Sequence, residues 1–246
     1  MKTVLITGCN RGLGRTLIEC FAKAGYNILA LIRNKQSLFD DFVDSIQSCY
    51  NVKITQFYAE FSSESSLNTA LDLIESSGIE IDILVNNAGI NAKAQPIFYM
   101  DYKDVADTFA VNYFAPFLIT KRIANMMIHG NAGKGSIINI SSTVSKNIEP
   151  GESAYGASKA ALNLFTQSIA QELAPFSIRV NGVACGIMNT GMFQEFDEKL
   201  KKKFLKRTIM KRPAELNEVA EMVLFLASEK SSYITGAILP VDGGFV

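Results

Sequence analysis

Short apolar runs alternate with longer amphipathic stretches from one end of this chain to the other. The short runs fall at 3–7, 27–32, 52–58, 81–89, 135–142, 177–185 and 236–241. Several are continuous in Val, Ile and Leu, with little alternation of polar and apolar positions. That pattern belongs to strands covered on both faces, as in a parallel sheet. Between them, helices are expected at about 15–24, 37–48, 64–77, 101–128, 153–174, 195–209 and 215–227. Strand and helix in strict turn predict an α/β fold. The expectation is a single doubly wound Rossmann-type domain over 1–246, with a mainly parallel sheet of about seven strands flanked by helices. Ligands of such a sheet bind beyond the carboxyl ends of its strands.

One helix breaks its own pattern. In 101–128 the polar Asn112 sits within an apolar stretch, and Pro116 follows four residues later. A helical proline gives no hydrogen bond to residue i−4, so the Asn112 carbonyl loses its donor. A kink is expected there, and it offers a place for a water or a proton path.

The strand ends carry the candidate chemistry. After the first strand comes GCNRGLG, residues 8–14, and then a helix. Gly8, Gly12 and Gly14 permit a tight turn and close approach of backbone to a phosphate on the helix N-terminus. The spacing is G-x-x-x-G-x-G, distinct from the commoner G-x-G-x-x-G. Read alone it fits a phosphate loop or a plain strand–helix turn. The second strand ends in Ile32-Arg33, with Lys35 next and Arg11 and Arg15 in the glycine region. An acid there would accept the ribose hydroxyl of NAD, whereas a cation suits the phosphate of NADP. NADP(H) is therefore favoured over NAD(H), the other reading being that Arg33 is a solvated charge. The fourth strand runs into Asn86-Asn87-Ala88-Gly89. Both asparagines suit strand-tying hydrogen bonds or ligand contact equally well.

Within 153–174, Tyr155 and Lys159 lie four residues apart, on one helix face. Small residues surround them. A cation near a phenol, ordinarily titrating near 10, pulls it toward neutrality and makes it a proton donor. The spacing by itself is common, since Tyr99 and Lys103 share it. Only the second pair is preceded, thirteen residues earlier, by a strand-end hydroxyl, that of Ser142.

Composition narrows the function. The 246 residues carry zero net charge, which gives no global attraction to nucleic acid or to an anionic membrane. No apolar run reaches the roughly 18–20 residues of a membrane span, and no leader pattern opens the chain. Cys9, Cys20, Cys49 and Cys185 show no metal-type spacing with the lone His129, so no metal is expected and the thiols read as reduced, in a cytoplasmic protein. Residues 195–212 hold eight basic and three acidic side chains, a net of +5, which suits either attraction of an anionic substrate or a solvated helix face.

Taken in order, Thr7-Gly8-x-x-x-Gly12-x-Gly14, Asn86-Asn87-Ala88-Gly89, Asn112, Ser142, Tyr155-x-x-x-Lys159 and Tyr233-Ile-Thr-Gly236 with Val241-Asp-Gly-Gly244 resemble the short-chain dehydrogenase/reductase family over essentially the whole chain. Arg212-Pro213-Ala214-Glu215 and VLFLAS look most like the 3-oxoacyl-[acyl-carrier-protein] reductase branch. The resemblance implies hydride transfer between NAD(P) and a carbonyl or alcohol. It makes Tyr155 the general acid/base and has Lys159 lower its pKa and hold the nicotinamide ribose. It has Ser142 bind the substrate oxygen and Asn112 hold a water. It implies cofactor contacts at Gly8, Asn10, Arg11, Gly12, Leu13, Gly14, Arg33, Glu60, Phe61, Asn87, Ala88, Gly89, Tyr155, Lys159, Gly186, Met188 and Thr190. It further implies a substrate lid at about 187–212 and a homotetramer, or homodimer, built through helices 101–128 and 153–174. The implied substrate is a small-molecule or carrier-bound carbonyl. A 3-oxoacyl thioester leads; a sugar, nucleotide sugar, polyol or other small alcohol or ketone follows. A non-catalytic nucleotide sensor is the remaining alternative. Three positions depart from the family: Cys185 for the usual proline before Gly186, Glu60 for an aspartate, and Cys9 inside the glycine loop.

Overall fold

The computed structural model of the chain describes residues 1–91, 94–130, 134–147, 149–194 and 197–245. Seven strands form one all-parallel sheet: β1 (Thr3–Thr7), β2 (Asn27–Ile32), β3 (Ile54–Tyr58), β4 (Ile83–Asn86), β5 (Gly135–Ser142), β6 (Ile178–Cys185) and β7 (Ile238–Val241). Their spatial order is β3-β2-β1-β4-β5-β6-β7, so the winding reverses between β1 and β4. The loops leaving these two strands must diverge, which opens a crevice at their carboxyl ends.

Helices α1 (Gly12–Lys23), α2 (Ser37–Tyr50) and α9 (Leu216–Ala227) cover one face. Helices α3 (Glu64–Ser76), α5 (Ala115–His129) and α6 (Ser153–Leu173) cover the other. This explains the unbroken apolar runs. In β1, Val4 and Ile6 enter the first core while Leu5 enters the second. Successive side chains point to opposite faces, and here both faces are dry.

The expected boundaries hold to within a few residues except at three places. The run 81–89 leaves the sheet after Asn86, so Asn87, Ala88 and Gly89 form a loop. The segment 101–128 is two helices, α4 (Tyr102–Phe109) and α5, joined by a wide π turn over Ala110–Phe114. In that turn the Ala115 amide donates to the Ala110 carbonyl, five residues back. Pro116 has no N–H to continue α-type pairing to Asn112, and the wider turn absorbs the loss instead of an open kink. The expected helix at 195–209 is α8 (Glu198–Lys206), preceded by the short α7 (Gly191–Gln194), and its residues 195–196 lie outside those described.

Gly8 and Gly12 both adopt left-handed backbone, with φ of 63° and 52°. A Cβ on Gly8 would stand 2.7 Å from the Ala88 Cα, whereas one on Gly12 would meet nothing within 4 Å. Gly12→Ala should therefore cost about 1–2 kcal/mol, the strain of that backbone alone. Gly8→Ala should cost about 1–3 kcal/mol beyond that for overpacking. Equal losses in urea unfolding would show that the β1–α1 turn is not packed against Ala88 as described.

Candidate active site

The crevice is locked from beneath by asparagine side chains. Asn87 Nδ2 donates to the carbonyls of Thr7 (2.9 Å) and Gly8 (3.0 Å), while the Thr7 hydroxyl accepts from the amides of Asn87 and Ala88. Asn86 turns the other way. Its Nδ2 donates to Thr120 on α5 and to Asn139 on β5, and Asn139 donates onward to Thr166 on α6. Asn86 is thus a strand-to-helix tie, and Asn87 holds the glycine loop in shape. Gly14 is required by the same packing, because a Cβ there would stand 2.4 Å from the Gly8 carbonyl oxygen.

The loop leads into a bare helix end. Arg11 caps α1 with no side-chain hydrogen bond among the described residues, and the first turn carries no acid. Its leading amides therefore face outward with a partial positive charge, a donor set suited to a pyrophosphate. Leu13 and Gly14 are buried in α1. Cys9 is buried too, its thiol donating to the Ile6 carbonyl at 3.4 Å and pushed well up by burial, so it is an inert filler.

At the far end of the crevice each nearby cation already has a contact. Arg33 Nε lies 3.3 Å from Glu60 Oε2, and Lys35 lies 3.8 Å from Asp40. Arg15 stacks over the Phe42 ring at 4.0 Å. Asn10 donates to Gln36 at 3.2 Å. Phe61, by contrast, packs into the core beside α3. The Arg33–Glu60 pair is exposed and weak, so a phosphate can compete for the guanidinium.

Around Tyr155 the elements β5, α6 and the π turn converge. Lys159 is buried, and its Nζ donates to the Ile140 carbonyl at 2.8 Å and lies 5.9 Å from the Tyr155 ring centre. The Ser142 hydroxyl faces the phenol closely enough to favour its ionised form. Asn112 accepts from the Ile90 amide (2.9 Å) and donates to the Ile90 carbonyl (2.8 Å) and to Ser158 (3.0 Å). Its side chain is thus fully engaged in tying the Ile90 loop to α6. A Cβ on Gly89 would approach both Lys159 Nζ and Asn112 Oδ1 at 3.4 Å, so this loop residue borders the same spot.

The electrostatics correct one expectation. Burial pushes the Tyr155 phenol up to about 12 from 10.0, with the nearby Ser142 hydroxyl acting the other way. Burial also brings the Lys159 ammonium down to about 8 from 10.5. In the chain by itself, desolvation outweighs the attraction that the spacing suggested. The second Tyr-x-x-x-Lys pair separates cleanly from the first. Tyr99 sits exposed in a short turn at Ile97–Tyr99, and Lys103 pairs with Asp107 along α4.

The other wall follows β6. Cys185 stands in register with Ser142. Gly186 passes so close to Asp242 that a Cβ would stand 2.6 Å from its Cα, and its amide donates to the Val241 carbonyl. Met188 bridges to Ala214, and the Thr190 amide donates to the Met188 carbonyl. Arg207, at the end of α8, pairs with Glu149 in the loop before α6 and stacks on Phe245 at 4.5 Å. Spacing gave no sign of that pair, because its members lie 58 residues apart.

A family profile described as enoyl-(acyl carrier protein) reductase matches residues 8–246. The chain belongs to the short-chain dehydrogenase/reductase family. It is 37% identical over 243 residues to the 3-oxoacyl-[acyl-carrier-protein] reductase of Aquifex aeolicus, covering 99% of this chain and 96% of that one. It is equally, 37%, identical to the L-xylulose reductase of Caenorhabditis elegans, covering 99% and 95%. Among solved structures, a 3-oxoacyl-[acyl-carrier protein] reductase of Brucella melitensis with bound NAD superposes with a TM-score of 0.89 at 28% identity, covering 99% of this chain and 90% of that one. Membership makes this short-chain dehydrogenase/reductase an NAD(P)-dependent oxidoreductase acting on alcohol or carbonyl groups.

The depressed Lys159 has a measurable consequence. Between about pH 8 and 10.5 the unfolded chain holds a proton on this lysine that the folded chain has lost. Stability contributed by this group therefore rises with pH across that window. The buried thiols and Tyr155 work oppositely at higher pH, and they remain in a Lys159→Met variant. The stability of wild type minus that of the variant should climb from pH 8 to 10.5 in urea titrations. A flat difference would show that Lys159 is not desolvated.

Proposed function

We propose that this enzyme is an NADP(H)-dependent reductase of a ketone, with Tyr155 as the proton donor. The observation that carries the reading is the meeting of Ser142, Tyr155 and Lys159 where β5 and α6 come together. Ser142 and the phenol hold the substrate oxygen between them. Lys159 supplies positive charge beneath the phenol, which favours the phenolate once the proton has left. Asn112 ties the Ile90 loop to α6 beside Lys159, where a water could return the proton. Bound NADPH supplies the hydride. The amides at the start of α1 would hold its pyrophosphate, and Asn87, Ala88, Gly89, Gly186, Met188 and Thr190 would contact the rest of it.

Arg33, with Lys35 beside it, supports the choice of NADP(H), since no acid ends β2. The Glu60 carboxylate that pairs with Arg33 yields to a phosphate of higher charge. The substrate reading is a 3-oxoacyl thioester, supported by the Aquifex relative and by the basic run of 195–212. The xylulose reductase relative favours the second reading, a sugar or polyol. A homotetramer or homodimer through the helices of 101–128 and 153–174 is supported by exposed Phe114, Phe117 and Leu164, whose neighbours Tyr113 and Phe165 stack beneath them. The four free thiols support a cytoplasmic setting, and no helix among the described residues is long and apolar enough to cross a membrane.

Two experiments test the chemistry and the cofactor. Tyr155→Phe should lower kcat by about 10²–10⁴ in NADPH oxidation across acyl thioesters, ketones and sugars. NADPH affinity, followed by fluorescence, should stay within about twofold of wild type, since the phenolic hydroxyl is not asked to hold the cofactor. Retained turnover would remove Tyr155 from the reaction. Arg33→Asp should weaken NADPH binding about tenfold or more while sparing NADH, the loss of one charge-assisted contact. Tighter binding of NADH than of NADPH by the wild type would overturn the cofactor assignment.

A further inference from the structure

Three side-chain oxygens among the described residues are buried without a hydrogen-bond partner: Asn86 Oδ1, Glu152 Oε2 and Asn163 Oδ1. An orphaned buried acceptor costs stability, and a fold that keeps one gains something for it elsewhere. Asn163 shows most clearly what that is. It is 8% exposed, on α6, four residues beyond Lys159 and eight beyond Tyr155. Its Nδ2 donates to Ser145 Oγ at 2.8 Å, and Ser145 Oγ donates to the Ser142 carbonyl at 2.6 Å. The order of donors is fixed. Ser145 spends its one proton on a carbonyl, which can only accept, so the amide of Asn163 must turn its NH₂ toward Ser145 and its oxygen away. The orphan oxygen follows from the job the NH₂ does.

That job concerns the turn holding Ser142. The Ser142 hydroxyl accepts from the Val144 amide, which folds residues 143–145 back on the strand end. Lys159 already fastens α6 to Ile140, and Ser141 reaches the Lys159 carbonyl at 3.5 Å. Asn163 adds a third fastening, two turns or about 12 Å along the helix from Tyr155. With it, Ser142 and Tyr155 are referred to one rigid element.

We infer that Asn163, acting through Ser145, is a positioning residue that sets the Ser142 hydroxyl against the Tyr155 phenol, and that the chain retains its orphan carbonyl oxygen for this purpose. The inference rests on the ketone-reductase reading above. A purely structural asparagine predicts something different, since its loss would lower folding stability and activity together.

The test is Asn163→Leu, of similar volume and without the orphan acceptor, alongside Ser145→Ala and the double variant. Asn163→Leu should melt at or above the wild-type temperature yet lose about tenfold or more in kcat, the effect of a small misplacement at the reacting centre. NADPH affinity should be unchanged. The alkaline limb of the pH–rate profile should move up, because the phenol loses the nearby Ser142 hydroxyl that favours its ionised form. Ser145→Ala should give the same loss, and the double variant no more than either single, as expected for one relay. Several outcomes would overturn the inference: kcat within twofold of wild type, a lowered melting temperature with kcat falling only in step with the folded fraction, or losses that multiply in the double variant. Wild-type protein that turns over no ketone, thioester or sugar would overturn the reductase reading and this one with it. Turnover by wild type and Asn163→Leu alike would sink this one alone.

Discussion

The structure depends on an ammonium group placed where an ammonium is costly. Lys159 sits inside α6, and the partner its Nζ reaches is a neutral carbonyl, that of Ile140 on β5. Desolvation of a lysine penalises its charged form, and one uncharged hydrogen bond does not restore the lost hydration. The rest of the site accommodates that penalty. The small residues around Lys159 let the helix lie close to the strand end. Asn112 draws the Ile90 loop over the same spot, and Gly89 borders the ammonium there, at van der Waals distance for an added Cβ. The charge that strains the fold lies directly below the phenol it serves.

The cofactor side is built on the opposite logic. Nothing there is charged and buried; the work is done by backbone and by amides whose hydrogen bonds are saturated. Thr7 and Asn87 exchange contacts across β1 and β4, the two strands between which the winding reverses. This gives the glycine loop a fixed shape while α1 presents uncapped amides at its end. Rigid donors aimed outward bind an anion with little reorganisation. At the adenosine end the opposite holds. Arg33 is exposed and shares its charge with Glu60, so any anion arriving there competes with a carboxylate for one guanidinium.

The polar ties inside the sheet connect these halves. Asn86, Asn139 and Thr166 run from β4 through β5 to α6, crossing a core that is otherwise dry. Buried networks of this kind specify one arrangement where apolar packing alone tolerates several. The cost is visible in the unpaired oxygens of Asn86 and Asn163.

Whatever is local or periodic could be read from the order of residues alone. Continuous apolar runs announced strands covered on both faces, and helical spacing announced the covering helices, so the doubly wound sheet was legible before any coordinate. The glycine loop, Ser142 and the Tyr155–Lys159 pair were legible as well, because the first two lie at strand ends and the pair lies about one turn apart on a single helix. Tertiary structure decided what depends on partners far along the chain. It separated Asn86 from its neighbour Asn87, showed Tyr99 and Lys103 to be a surface coincidence, and paired Arg207 with Glu149. It reversed the sense of the Tyr155 shift, because spacing reveals a nearby cation but not the loss of water around both groups. It also found Asn163, which in sequence is one more polar residue on a helix. Its meaning comes from a hydrogen bond 18 residues back, to the turn that carries Ser142.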